Sequence, residues 1–254
     1  ILPQEVFATG CFLVYHGEAY YQASLAEPMS CSIGAFHAAY HTQMGVYTHD
    51  MGIREGGKLC INAGAGPMGL GALTYALHCD RRPGLVVVAD INQERLARAE
   101  HLFPPEEIRR DEGIELHFVN TGTVDDPVAA LREITGGAGF DDVLCYAPVA
   151  AVVTQSSLIL GRDGCLNFFA GPTDKNFQAP INFYEVHYGS QHVIGTTGGN
   201  TQDEMESLEL TAAGRLDPAV MVTHIGGLDA VPETTLKLPK IPGGKKLIYT
   251  HIEM

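Results

Sequence analysis

Positive charge is scarce in this 254-residue chain: 16 lysines and arginines stand against 30 aspartates and glutamates, a formal net charge of −14 at pH 7. Nucleic acid and anionic membrane are poor partners for such a chain, because both call for clustered cations, and no basic stripe runs along the sequence. An apolar run of transmembrane length is lacking, as is a signal-peptide layout at the N-terminus. The expectation is a soluble, cytoplasmic protein with no membrane partner. Cys-x-x-Cys pairs are absent too. Cys11, Cys31, Cys60, Cys79, Cys145 and Cys165 lie far apart, which fits reduced, mostly buried thiols better than a disulfide framework or a four-cysteine zinc lobe. A starting methionine is also missing: the chain opens at Ile1 in what reads as the middle of a domain, so a piece of something longer is expected.

What the sequence does have is a hydrophobic content of 45%, ample for a packed core in one large α/β domain, or one domain plus a fragment of another. The most informative run is Lys58 to Asp90. Leu59, Cys60, Ile61 and Ala63 read as a strand, Gly64-Ala65-Gly66-Pro67-Met68-Gly69 as a turn entering a helix, and Leu85 to Asp90 as a second strand. Gly64 permits the tight turn, Gly66 lets the backbone approach a pyrophosphate, and Gly69 lets helix and strand pack closely. The helix N-terminus offers free N–H groups to phosphates. Asp90 ends the next strand about 20 residues beyond the third glycine, where a carboxylate can accept both ribose hydroxyls of an adenosine. The same carboxylate repels a 2′-phosphate, and Ile91, Asn92, Gln93 and Glu94 intervene before Arg95, so NAD is favoured over NADP.

Four more strands are predicted, Leu116 to Asn120, Asp142 to Tyr146, Leu166 to Ala170 and Val193 to Thr196, separated by helical patterns. Asp126 caps a predicted helix that starts at Pro127 and stops at Gly136-Gly137, and another runs from about Pro148 to Leu160. The expected architecture is a Rossmann doubly wound, six-stranded parallel sheet with helices on both faces and a ligand crevice at the carboxyl ends of the strands. Residues 1–31 read as irregular and aromatic-rich. From residue 201 onward a helix (Gln202 to Ala213), a strand near Val220 to Ile225, a short helix and a last strand, Leu247 to Ile252, are expected. The flanks 1–31 and 201–254 read as edges of a second domain into which the nucleotide fold, 32–200, is inserted.

Ala26-Glu27-Pro28-Met29-Ser30-Cys31, the Gly64 to Gly69 turn, Asn167 to Pro172, Gly195 to Asn200, Thr223 to Gly227 and Pro242-Gly243-Gly244-Lys245-Lys246 together resemble the zinc-type medium-chain dehydrogenases and reductases. Within them the similarity is to the L-sorbose-1-phosphate reductase group of sorbitol dehydrogenase-like enzymes. In such enzymes a GroES-like first domain supplies a cysteine, a histidine and a glutamate around a catalytic zinc. The resemblance implies that this domain precedes Ile1, so the catalytic residues are unassigned and the chain alone is expected to be inactive. It leaves Glu27 as a contributor to zinc, bound directly or through the zinc's water; the alternative is that Glu27 caps the helix beyond Pro28. It sets the nicotinamide amide against backbone near Ala170, Gly171, Gly195 and Thr196, and makes Lys245 the cation that reaches the pyrophosphate, with a solvated loop role as its alternative. Pro67, Met68, Arg95 and Ala147 complete the expected cofactor contacts.

His37 and His41 stand at i and i+4, close enough on one helix face to share a metal, but no glutamate follows His37, and a packed or surface pair is the preferred reading. His187 and His224 have no partner spacing. The implied function is a zinc-dependent, homo-oligomeric oxidoreductase moving hydride between NAD(H) and a polyol or keto-sugar, sugar phosphates such as L-sorbose 1-phosphate included. The rivals are a zinc-free quinone or enoyl reductase, and a non-catalytic NAD-binding sensor module.

Overall fold

A computed structural model describes residues 2–43 and 45–252. Helices α1 Gln4–Ala8, α2 Tyr20–Ala23 and α3 Ala26–Ala38 lead into the hairpin strands β1 Tyr40–Gln43 and β2 Val46–Met51. The strand and helix alternation then runs β3 Lys58–Asn62, α4 Pro67–His78, β4 Leu85–Asp90, α5 Gln93–Leu102, α6 Pro105–Glu112, β5 Glu115–Asn120, α7 Pro127–Ile134 and β6 Phe140–Cys145. It continues through α8 Ala150–Leu158, β7 Leu160–Phe168, α9 Phe183–Tyr188 and β8 His192–Gly195. Helix α10 Thr201–Ala212, strand β9 Val222–Gly227, helix α11 Val231–Lys237 and strand β10 Lys245–Tyr249 follow.

The continuous apolar runs form strands because both faces of the sheet are covered. Leu59 and Ile61 of β3, Val86 and Val88 of β4 and Leu144 of β6 share one core with Ile33 and Phe36 of α3, Leu70 and Leu73 of α4 and Leu96 of α5. Their neighbours Cys60, Val87, Ala89, Val143 and Cys145 point to the other face, against Leu131 of α7 and Val153 of α8. Each large aliphatic side chain buried in this way contributes about 1.5–3 kcal/mol relative to exposure. All six strands are parallel, in the order β5-β4-β3-β6-β7-β8. The order reverses between β3 and β6, and in doubly wound sheets that switch point opens the ligand crevice at the carboxyl ends of the two strands. Among the described residues no helix is long and apolar enough to cross a membrane.

The predicted cap is present: the Asp126 carboxylate accepts from the Ala129 N–H at 2.9 Å, and Gly136 and Gly137 leave the helix at φ 66° and 83°. Other elements depart from expectation. Ala63 has left β3 and adopts φ 55°, and β7 starts six residues before Leu166, where Leu160 pairs with Phe140 across a register shift. Residues 2–31 are less irregular than expected, with α1 and α2 inside them and α3 running through residue 31. The β1–β2 hairpin was not anticipated, since every residue of β2 is exposed and carries no apolar alternation. β9 and β10 pair in parallel as a separate two-stranded sheet, so Lys245 begins the last strand instead of preceding it.

Candidate dinucleotide site

The glycine turn sits at the crevice, and its three glycines are distinguished by what a side chain would strike. A Cβ at Gly64 would lie 2.5 Å from the Ile61 carbonyl oxygen, and one at Gly69 2.1 Å from the Gly64 carbonyl oxygen. At Gly66 it would meet nothing within 4 Å, and Gly66 lines an open cleft of about 420 Å³. Gly66 caps α4 with extended backbone and Pro67 takes the first helical position, so the N–H groups of Met68 and Gly69 leave the first turn without intrahelical acceptors.

Asp90 is buried at the end of β4 and lines the same cleft. Its carboxylate accepts from the backbone N–H groups of Ile91 (2.8 Å), Asn92 (3.0 Å) and Ala65 (3.1 Å). A carboxylate offers about four acceptor positions, so most of this one is committed to holding the two turns together. The cleft also gathers Pro67, Met68, Gly69, Arg95 and Ala147. Sequence reading missed Asn62, Tyr146, Val152 and Gln155, which line it as well. Asn62 and Tyr146 flank the strand ends that define the switch point, and that position was the available signal; Gln155 lies inside a helix and had none.

Ala170 and Gly171 lie just beyond β7, and Gly195 and Thr196 at the end of β8, on the same edge of the sheet but outside the cleft's lining. Thr196 donates its hydroxyl hydrogen to Asn167 at 3.3 Å. Lys245 follows Gly244, where an added Cβ would stand 3.3 Å from Pro67, so the last strand starts beside the N-terminus of α4. Lys246 spends its ammonium on the carbonyls of Pro242 and Gly244, whereas the Lys245 ammonium forms no hydrogen bond or ion pair with any described residue.

Glu27 occupies the first turn of α3, which begins at Ala26 with Leu25 as its N-cap, so Glu27 does not cap a helix starting beyond Pro28. It is exposed and accepts from the Cys31 thiol at 3.4 Å. Burial and the Glu27 carboxylate raise the Cys31 thiol above its ordinary value against an opposing backbone hydrogen bond at Gly199, which keeps it protonated. No group of three or more His, Cys, Asp or Glu side chains able to hold a metal exists among the described residues. The residues present therefore do not make a zinc site. They do fit a dinucleotide, with a glycine open to the cleft, unpaired helix N–H groups and a carboxylate at the adjacent strand end.

His37 and His41 each bond to other protein groups. His37 lies 2.8 Å from the Asp203 carboxylate and 3.1 Å from the Tyr75 hydroxyl. Helix α3 stops at Ala38, so His41 falls on β1 and the two do not share a helix face; its ring sits between the Asp163 carbonyl (3.0 Å) and Asp142 (3.2 Å).

Topology, core and crevice define a doubly wound α/β protein of the Rossmann type. A family model described as zinc-binding dehydrogenase matches residues 67–213, more than half of the chain, and the chain belongs to that family. It is 55% identical over 254 residues to a mannitol-1-phosphate 5-dehydrogenase of Aliivibrio fischeri, covering all of this chain and 60% of that protein. It is 47% identical over 250 residues to an L-sorbose 1-phosphate reductase of Klebsiella pneumoniae, covering 98% of this chain and 59% of that protein. The chain thus spans about 60% of the length of these relatives. The fold is that of 2R,3R-butanediol dehydrogenase from Bacillus subtilis, with a TM-score of 0.70 at 21% identity over 92% of this chain and 58% of that one.

Proposed function

We propose that this chain is the dinucleotide-binding part of an NAD-dependent dehydrogenase acting on a polyol or keto-sugar, with sugar phosphates the favoured substrates. The observation that carries the cofactor reading is the conjunction, in one cleft, of Gly66 with open space before it and Asp90 at the neighbouring strand end. The substrate class rests on the names of the mannitol-1-phosphate and sorbose 1-phosphate relatives. NAD would supply the hydride acceptor when bound. The N–H groups of Met68 and Gly69 receive the pyrophosphate, with Lys245 as a second, cationic contact. Asp90 takes the adenosine ribose with the acceptor capacity that its three backbone partners leave. Ala170, Gly171, Gly195 and Thr196, small residues at adjacent strand ends, hold the nicotinamide amide against the main chain.

A 2′-phosphate beside a carboxylate in a partly dehydrated cleft costs on the order of a few kcal/mol, so NAD binds more tightly than NADP. Calorimetric titration of the chain with both nucleotides tests this: equal affinities remove Asp90 as the discriminator, and no binding of either removes the dinucleotide reading. On this proposal residues 32–200 form the nucleotide domain, and 1–31 and 201–254 belong to a catalytic domain, with α3 spanning the junction. Glu27 then contributes to a zinc centre whose other ligands lie outside these residues. The chain by itself turns over no substrate. The zinc-free reductase reading is disfavoured by the Glu27-Pro28 element, and the sensor reading is separated by turnover of the complete protein.

A further inference from the structure

Polar groups buried without a partner are rare in folded proteins, and here they are unevenly placed. Three are arginine Nε atoms: that of Arg54 lies 3.0 Å from the Asp141 carboxylate, and Arg81 and Arg82 bond carboxylates through their other nitrogens. The remaining three among the described residues are Tyr146 Oη, Gln155 Nε2 and Ser207 Oγ, and two of these, Tyr146 and Gln155, line the dinucleotide cleft.

Nearby protein groups do not serve them. The Tyr146 hydroxyl lies near Ser32 but makes no hydrogen bond to it, and the Ser32 hydrogen goes to the Met68 carbonyl, 3.4 Å away. The Tyr146 ring is packed against Phe169 with centroids 4.4 Å apart, which limits its freedom to seek another acceptor. Gln155 sits next to Ser156, whose oxygen accepts from Asn62 at 2.9 Å and whose hydrogen goes to the Val152 carbonyl at 2.8 Å. Both unpaired groups are neutral donors. An unmade hydrogen bond at a buried donor carries a desolvation cost that a bound acceptor can return.

Beside the glycine turn the cleft thus presents donors, the N–H groups of the first turn of α4 together with these two side chains. We propose that Tyr146 and Gln155 donate hydrogen bonds to the phosphate oxygens of the bound dinucleotide, adding two neutral donors to the glycine turn. This rests on the reading of the cleft as a dinucleotide site. Phosphate oxygens are acceptors only and carry charge, so they suit donors that the protein leaves unpaired.

The test uses Gln155→Met and Tyr146→Phe in the 254-residue chain, with thermal unfolding of the ligand-free protein and calorimetric titration with NAD, ADP-ribose and adenosine. Removing a buried unpaired donor leaves the ligand-free unfolding temperature unchanged or higher. Dissociation constants for NAD and ADP-ribose rise about tenfold in each variant, whereas that for adenosine does not change. Unchanged NAD affinity in both variants overturns the proposal, and so does an equal weakening of adenosine, which would move the contact to the base or ribose. A lower ligand-free unfolding temperature also overturns it, since the donors would then have partners within the protein. Failure of the unsubstituted chain to bind NAD is a separate outcome, which rejects the dinucleotide reading itself.

Discussion

A methyl group at Gly69 would stand 2.1 Å from the Gly64 carbonyl oxygen, which is backbone and cannot step aside, whereas a methyl at Gly66 would meet nothing within 4 Å. Gly69→Ala must therefore prise α4 from β3, and we expect a loss of about 3 kcal/mol in a denaturant titration, at the upper end for overpacking. Gly66→Ala should keep ligand-free stability within about 0.5 kcal/mol, because φ −81° and ψ 175° suit alanine, yet weaken NAD at least tenfold by filling the cleft. Similar stability losses in the two variants would show that the glycines are not divided in this way. That division was legible from spacing alone, because strand, turn and helix fix where each residue must point. The double role of Asp90 was not, since its three backbone partners come from two turns 25 residues apart. Nor were Tyr146 and Gln155, which sequence periodicity does not distinguish from ordinary partly buried residues.

At the scale of elements, the β1–β2 hairpin is fastened to the amino-terminal side of the sheet by a polar bracket. Asp163, just inside β7, accepts from the Thr42 N–H (3.0 Å), the Thr42 hydroxyl (2.6 Å), Arg54 (2.7 Å) and His192 (2.9 Å). His41 is buried, and both ring nitrogens face acceptors, Asp142 and the Asp163 carbonyl. Burial alone would depress its pKa, but the bond to Asp142, that residue's charge and the Asp163 carbonyl outweigh burial and the opposing Arg54, and hold it above the ordinary imidazole value. For Asp163, burial is overcome by Thr42 and His192, so its pKa is held below the ordinary carboxylate value. A raised imidazole contributes stability below its unfolded pKa that is lost as pH rises through the folded one; a depressed carboxylate contributes above its unfolded pKa and loses it as pH falls. The bracket is therefore tightest between about pH 4 and 6.5. We expect His41→Gln to cost about 3 kcal/mol near pH 5. Compared across a pH series, the deficit should shrink toward pH 8 or above, and a deficit independent of pH would refute the linkage. None of this was legible beforehand: Tyr40 to Met51 lacks an apolar alternation, and His41 reads as helical until Ala39 turns the chain at ψ 152°. The six sheet strands, by contrast, announce themselves as apolar runs, with only the polar opening of β7 hiding its true start.

At the scale of the whole molecule, the nucleotide fold is complete while the metal chemistry of its family is not assembled from the described residues. The two properties can be measured apart. A ligand that binds only the folded state at a hundred times its dissociation constant adds about 2.7 kcal/mol, which for a chain of this size raises the unfolding temperature by about 5–10 °C. NAD should produce that shift, and NADP at the same concentration a smaller one. Zinc should not. A lone exposed carboxylate beside a thiol held protonated offers neither the number nor the protonation state of ligands that a tight site requires, and zinc affinity demands deprotonated donors. We therefore expect elemental analysis of the purified chain to give far less than one zinc per molecule, with an unfolding temperature indifferent to chelator. Stoichiometric metal that survives mild chelation would mean that these residues assemble a site by a rearrangement absent from this structure, and would withdraw Glu27 from its proposed place in a shared centre.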